Sequence, residues 1–324
     1  MNIDTLTVSI IIVSFNTSEL LQRCLETVQQ ESSMINSEII VVDNNSKDGS
    51  ADMVERKFPT VHLIRSSKNL GFAAANNLGF THTKGDYIVL LNPDAFLTPN
   101  ALINAIHHVD KNPIIGLAGA RLIGEDGRWQ PSARMFPSLL NHLLNLSGLA
   151  AKYPQSRFFG RVDYTWADHD QAMPVDWVPG TFSIIRRDVL ERIGFFDEQF
   201  FLYYEEVDLC CRIKAAGYSI WYLPDVTVVH VGGACSEALS DLTRSTRGRQ
   251  VTLWQLRSAL LFYRKNYGLL YAWLWMQIEN NWHKIRAWKN RTNSKAEDSN
   301  NLRNLLKQAW QETQGGKISP PRPW

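Results

Sequence analysis

The residues of this chain able to do chemistry sit where predicted strands stop and helices start. The runs Val8 to Phe15, Glu38 to Val42 and Tyr87 to Leu91 are apolar and rich in β-branched residues, as in strands buried on both faces. They end in Asn16, in Asp43, and in Asn92-Pro93-Asp94. In a sheet of parallel strands the ligand crevice lies beyond the carboxyl ends, so three polar ends at equivalent edges point to one binding edge. A lone Asp after a strand is also an ordinary turn or cap. A second acidic group, Glu205, Glu206 and Asp208, opens a predicted helix, where the helix dipole favours negative charge whatever the function. His230 closes another apolar run, Trp221 to His230.

Other chemistries lack their signatures. The first strand runs into SFNTSEL rather than GxGxxG, and no Walker A sequence occurs. No CxxC pair is formed by Cys24, Cys210, Cys211 and Cys235, which read as small core residues in a reducing compartment rather than as a zinc site or disulfide framework. No Ser-His-Asp or Cys-His arrangement suggests a covalent intermediate.

The elements that must position these residues alternate. Helical spacing follows the first strand (Leu20, Leu21, Cys24, Leu25, Val28) and the turn at Asp48-Gly49. Val61 to Arg65 is a short strand, and Thr181 to Ile185 another, after Asp176-Trp177-Val178-Pro179-Gly180. Asp188 to Gly194 is a punctuated short helix. Phe200 to Tyr204 reads as an aromatic, strand-like run before the helix that ends near Gly217. From Gly124 to Pro174 the sequence is poorly periodic and loop-rich. The alternation predicts an α/β fold with a mainly parallel central sheet flanked by helices. No repeat or low-complexity block interrupts it.

The 324 residues carry 44% hydrophobic and 20% charged side chains, a globular composition that excludes wholesale disorder and collagen-like repeats. No stretch reaches the ~18 apolar residues of a membrane span, and Asp4 without a basic leader argues against a signal peptide. The net charge of +2 is unevenly placed: residues 244–291 carry +9, and seven of the 11 tryptophans lie beyond residue 250.

Six segments in order, VSIIIVSFN, IIVVDNNSKDGS, NLGFAAANNLGF, YIVLLNPDA, WVPGTFSIIRRDVLERIGFFDEQFFLYYEEVDLCCR and VVHVGG, resemble family 2 glycosyltransferases of GT-A fold, nearest to the rhamnosyltransferase-like branch that builds surface polysaccharides. The resemblance covers roughly residues 6 to 265. It implies an inverting transferase taking a nucleotide-sugar donor, dTDP-rhamnose or a UDP-sugar, and a saccharide or lipid-linked saccharide acceptor. It implies that Asp43 receives the N3–H of uracil or thymine, with Asn16 lining the nucleotide pocket. Asn69, Gly71, Phe72 and Asn76 fall in the loop that closes over base and ribose. Asn92 and Asp94 occupy the DxD place, Asn92 standing for its first Asp. Asp94 and His230 are thereby the expected ligands of Mg²⁺ or Mn²⁺, whose hard charge suits a diphosphate. Glu206 falls on the catalytic base, with Glu205 beside it. Trp177, Gly180 and Asp208 join the substrate-binding candidates.

The expected organisation is a catalytic domain over 1–240, a basic, Trp-rich helical extension over 241–292, and a polar, partly disordered tail over 293–324. Arg247 and Arg249 suit a diphosphate or belong to a solvated basic loop. Leu274, Ile278, Trp282, Ile285 and Trp288 share a helical face among Lys284, Arg286, Lys289 and Arg291. That composition suits peripheral contact with the inner face of the cell membrane from the cytoplasm, or packing on the catalytic domain. Nucleic acid is not expected as a partner. The rival readings are transfer of galactofuranose or an N-acetylhexosamine from UDP, and an inactive sugar-nucleotide or membrane-binding scaffold.

Overall fold

Val8, Ile10, Ile11 and Ile12 have no exposed surface, because their strand lies inside a sheet covered on both faces. The computed structural model describes residues 7–232, 249–291 and 294–322. Its strands are β1 (Thr7–Ser14), β2 (Asn36–Asp43), β3 (His62–Arg65), β4 (Tyr87–Leu91), β5 (Ala95–Leu97), β6 (Ile115–Ile123), β7 (Trp129–Gln130), β8 (Met173–Val175), β9 (Phe182–Arg186) and β10 (Ser219–His230). They form one sheet in the order β3-β2-β1-β4-β9-β6-β10-β5, with β7 on β6 and β8 on β10.

The sheet is mixed rather than mainly parallel. β1 pairs in parallel with β2 and β4, and β3 with β2. β9 then enters antiparallel between β4 and β6, and β5 antiparallel to β10. β6, with the sequence IGLAGARLI, has too few β-branched residues to be read as a strand. Its Gly119 is required by packing: a Cβ there would lie 2.6 Å from Val178 Cβ.

The helices are α1 (Ser18–Ser32), α2 (Ser50–Lys57), α3 (Phe72–Phe80), α4 (Ala101–Lys111), α5 (Leu139–Leu146), α6 (Leu149–Lys152), α7 (Arg187–Ile193), α8 (Glu205–Ala215), α9 (Arg249–Tyr267), α10 (Leu269–Lys289) and α11 (Ser294–Glu312). One core, with Leu21, Leu25, Val41, Leu102 and Ile184, fills one side of the sheet. Another, with Ile88, Leu117, Ile185, Leu209 and Ile220, fills the other.

Two expectations are corrected here. Phe200 to Tyr204 is a bent segment, not a strand, with Tyr203 and Tyr204 both left-handed at φ 68°. Residues 294–312 are not a frayed tail: Leu305, Leu306 and Ala309 bury a narrow apolar stripe against α9 and α10, in a core shared with Phe200 and Val207. The stripe is sparse within a polar sequence, so composition hides it. Arg257, buried on α9, bonds Glu312 at 2.8 Å and closes the bundle.

Candidate active site

β4 delivers its acid through a tight turn. The Ala95 N–H donates to the Asn92 carbonyl at 3.2 Å, and the Asn92 N–H to Thr181 at 3.0 Å. Asp94 is thus held at the strand edge, 3% exposed, with Oδ1 lacking a hydrogen-bond partner. The β5–β10 pairing sets His230 opposite Ala95, and His230 Nε2 stands 3.8 Å from Asp94 Oδ1. His230 Nδ1 meets Gln130 Oε1 at 2.8 Å, while the Gln130 amide donates to the His230 carbonyl at 3.0 Å. Gln130 therefore accepts the Nδ1 proton and leaves the Nε2 lone pair toward Asp94, an arrangement frequent among metal-binding histidines. Burial lowers the imidazole pKa, against the opposing pull of Asp94, which keeps the ring neutral as a ligand must be. An unpartnered buried carboxylate oxygen beside that nitrogen fits a divalent cation. Among the described residues no group of three or more side chains that could hold a metal ion occurs.

The second acidic group arrives from the opposite wall. Two successive left-handed tyrosines are costly for residues carrying a Cβ, and here they turn the chain so that α8 begins with both glutamates facing inward. Glu205 and Glu206 line, with Asn92, Asp94 and His230, a cavity of about 320 Å³. Burial pushes both carboxyls up. Glu205 is raised well above the usual range, next by its charged neighbour; the hydrogen bond between them raises Glu205 and lowers Glu206. The two carboxyls titrate as one coupled pair at the start of α8. Glu206 alone of the acids also opens onto a second cavity of about 540 Å³.

Asp208 is not part of this wall. Its side chain is fully buried, paired with Arg212 at 2.8 Å and Lys265 at 2.7 Å, so it ties α8 to α9 rather than meeting substrate. Trp177 lines the second cavity, not the first, with its indole N–H on the Met135 carbonyl at 3.0 Å. Gly180 lines the first, with the Phe72 ring 3.5 Å from where a Cβ would stand.

At the β1–β2 end, Asp43 lies in a separate hollow of about 420 Å³ with Ser46 and Ser66, next in sequence to Asn44 of the first cavity. Its Oδ2 accepts from the Ser46 N–H at 3.1 Å and its Oδ1 is buried without a partner. Asn16 reaches the same edge, but its side-chain oxygen accepts from the Lys47 N–H at 2.7 Å, so it shapes the loop. Asn76 is likewise spent on the Phe72 carbonyl at 2.9 Å, inside α3. Asn69 and Phe72 do line the first cavity. Asn44 was missed by sequence reasoning, yet it organises this loop: its amide donates to Asn69 Oδ1 at 2.9 Å and it accepts from the Leu70 N–H at 2.7 Å. Its place beside Asp43 was the available signal. Arg247 lies outside the described residues; Arg249 begins α9, its side chain outside them.

Gly71 has φ +80°, and a Cβ there would collide with the Phe201 carbonyl oxygen and ring, where the Phe72 N–H donates at 2.8 Å. Gly71→Ala is expected to cost about 1–3 kcal/mol from the backbone conformation alone, with displacement of the 200–204 bend in addition. Chemical denaturation checks it; an unchanged midpoint contradicts this contact.

A family model described as glycosyl transferase family 2 matches residues 9–194, more than half of the chain. The chain belongs to glycosyl transferase family 2. The family match spans β1 to α7, thus Asp43 and Asp94 but not α8 or His230. An N-acetylglucosaminyl-diphospho-decaprenol L-rhamnosyltransferase from Mycobacterium tuberculosis is 28% identical over 59% of this chain, which spans only 66% of that relative's length. Rhamnosyltransferase WbbL from Escherichia coli is 26% identical over 69% of this chain and 83% of its own. The dTDP-rhamnosyl transferase RfbF from Shigella flexneri is 24% identical over 72% of each. The fold is that of GT-A glycosyltransferases: a mannosyltransferase, PcManGT from Pyrobaculum calidifontis, solved with GDP-Man and Mn²⁺, superposes with a TM-score of 0.52 at 17% identity, over 95% of this chain and 74% of its own.

Proposed function

We propose that this protein transfers rhamnose from dTDP-rhamnose to a saccharide or lipid-linked saccharide acceptor, inverting the anomeric centre, in the making of a cell-surface polysaccharide. The observation that carries it is the position of Glu206, an acid lining both cavities, one of which holds Asp94 and His230. Glu206 takes the proton of an acceptor hydroxyl entering from the second cavity. That oxygen attacks the anomeric carbon from the side opposite the nucleoside diphosphate, and a single displacement inverts the centre. Glu205 lies beside Glu206 in the same wall, and the two share their ionisation as a coupled pair. Asp94 and His230 Nε2 would hold Mn²⁺ or Mg²⁺, which when bound would neutralise charge on the departing diphosphate. Asp43 Oδ1 is the acceptor for a pyrimidine N3–H. The rhamnosyltransferase relatives support the choice of sugar.

Uracil and thymine present the same N3–H, so a UDP-sugar is the second reading. Incubating the protein and acceptor with dTDP-rhamnose, UDP-galactofuranose and UDP-N-acetylhexosamines, with Mn²⁺ present, tests it. Release of dTDP coupled to acceptor glycosylation is expected; transfer from UDP-sugars alone overturns the choice of donor. No release or transfer from any donor leaves the inactive scaffold.

We place the working protein on the cytoplasmic membrane surface through α10. Among the described residues no helix is long and apolar enough to cross a membrane. The inward face of α10 is Ala272, Trp275, Glu279 and His283. Leu270, Leu274, Ile285 and Trp288 are exposed, Trp288 by 72%, among exposed Lys284, Arg286 and Lys289. Anionic liposomes should pull the protein down, less so in high salt. Replacing Leu270, Ile285 and Trp288 by Ser should abolish it; unchanged sedimentation removes α10 as the anchor.

A further inference from the structure

The larger cavity is walled by α5 and the segment before it, by α9 and α10, and by Trp177, the turn into α8 with Glu206, and Leu302 of α11. Its lining includes a buried carboxylate, Glu279, 8% exposed. His142 Nε2 lies 3.0 Å from Glu279 Oε2, and His283 Nε2 4.0 Å from Oε1. Burial lowers the His283 pKa, despite the neighbouring carboxylate, so its ring is neutral near pH 7. Buried polar atoms nearly always find partners. Besides Arg134, whose Nε faces Asp163 Oδ1 at 2.7 Å, four lining residues carry a buried side-chain atom with none: Asn141 Oδ1, Trp275 Nε1, His283 Nδ1 and Glu206 Oε2. They offer both donors and acceptors around one space.

We infer that this cavity seats the neutral sugar unit of the acceptor, with Glu279 and the Trp275 indole reading its hydroxyls and Glu206 meeting the hydroxyl that reacts. This rests on the glycosyltransferase reading above and names where and how that acceptor is held. The chemistry excludes a phosphate here. The cavity's arginine, Arg134, is already paired with Asp163 at 2.7 Å, and two glutamates would face an incoming anion. A hydroxyl-rich neutral ring matches instead: it donates to carboxylates, accepts from the indole N–H, and lays its C–H faces on the rings of Trp177, Tyr263 and Trp275. The volume of about 540 Å³ lies within the usual range of small-molecule sites, ~300–1,000 Å³. A lipid-linked acceptor would then keep its diphosphate outside the cavity.

The test uses the full chain and two readouts. Saturation-transfer NMR with the methyl glycosides of glucose and N-acetylglucosamine reads binding without turnover; steady-state transfer reads the KM values of donor and acceptor. Glu279→Gln and Trp275→Phe should weaken the NMR signal and raise acceptor KM at least tenfold, with donor KM within twofold. Gln255→Trp narrows the cavity from an exposed position on α9 and should do the same, so the inference stays testable should the buried variants fail to fold. Absence of glycoside binding to the native protein overturns it. So does an acceptor KM unchanged in folded Glu279→Gln and Gln255→Trp. Glycoside binding that these substitutions remove, in a protein that turns over no nucleotide-sugar, keeps the sugar cavity and rejects the transferase reading.

Discussion

Glu206→Gln is expected to lose turnover by ~10²–10⁴-fold, the usual worth of a general base, while nucleotide affinity stays nearly intact. A sugar hydroxyl is a poor nucleophile until its proton has somewhere to go, and the amide keeps the shape but cannot take the proton. Steady-state transfer with calorimetric titration of the nucleotide checks both halves. Glu205→Gln is the paired control: it keeps the shape beside Glu206 and leaves Glu206 itself able to take a proton, and most turnover should remain. The reverse pattern would move the base to Glu205. The pair also sets a pH profile. Both carboxyls are pushed up by burial, and the base acts only when ionised. Activity should therefore fall as pH drops through a pKa above the ordinary carboxylate value of 4.5. Stability has the opposite sign: between the ordinary and the raised pKa the folded state holds more protons than the unfolded chain, so the pair's contribution is lost as pH rises through that window.

Asp94→Asn should be comparably damaging. It leaves His230 Nε2 facing a neutral amide across the 3.8 Å gap and removes the anionic half of the cation site. Charge neutralisation of a departing diphosphate is worth several kcal/mol, so a loss on the order of 10³-fold in transfer follows. Mn²⁺ binding followed by electron paramagnetic resonance should weaken in the same variant and in His230→Ala, a measurement independent of turnover. Chelation with EDTA should abolish transfer, and Mn²⁺ or Mg²⁺ should restore it. Full activity after rigorous chelation, with unaltered Mn²⁺ binding in Asp94→Asn, would leave Asp94 as a turn residue.

The amino-acid sequence by itself determined the strands that are β-branched and buried on both faces, β1, β2 and β4, because their apolar runs need no context to be recognised. It also determined the order of polar residues at their ends and the acidic start of α8. β6 was out of reach because its glycines and alanines belong to the packing of Val178 and Ile213 onto it, partners distant in the chain. The apolar stripe of α11 was hidden for a related reason: three buried residues decide its docking, and a polar composition outweighs them. Asn16, Asn76 and Asp208 match the family pattern as residue types, but side-chain direction decides what they do. Each commits at least one polar atom to the protein itself: Asn16 Oδ1 to Lys47, Asn76 Nδ2 to Phe72, and Asp208 to Arg212 and Lys265. Conversely, nothing local to Asn44, Glu279 or His142 distinguishes them in sequence. The last two lie 137 residues apart, and only the docking of α10 against α5 brings them together. The acids of the candidate site were therefore legible as spacing, whereas what separates Glu206 from Glu205 is a second cavity that only Glu206 of the two lines, and that cavity exists only once the C-terminal helices have folded onto the sheet.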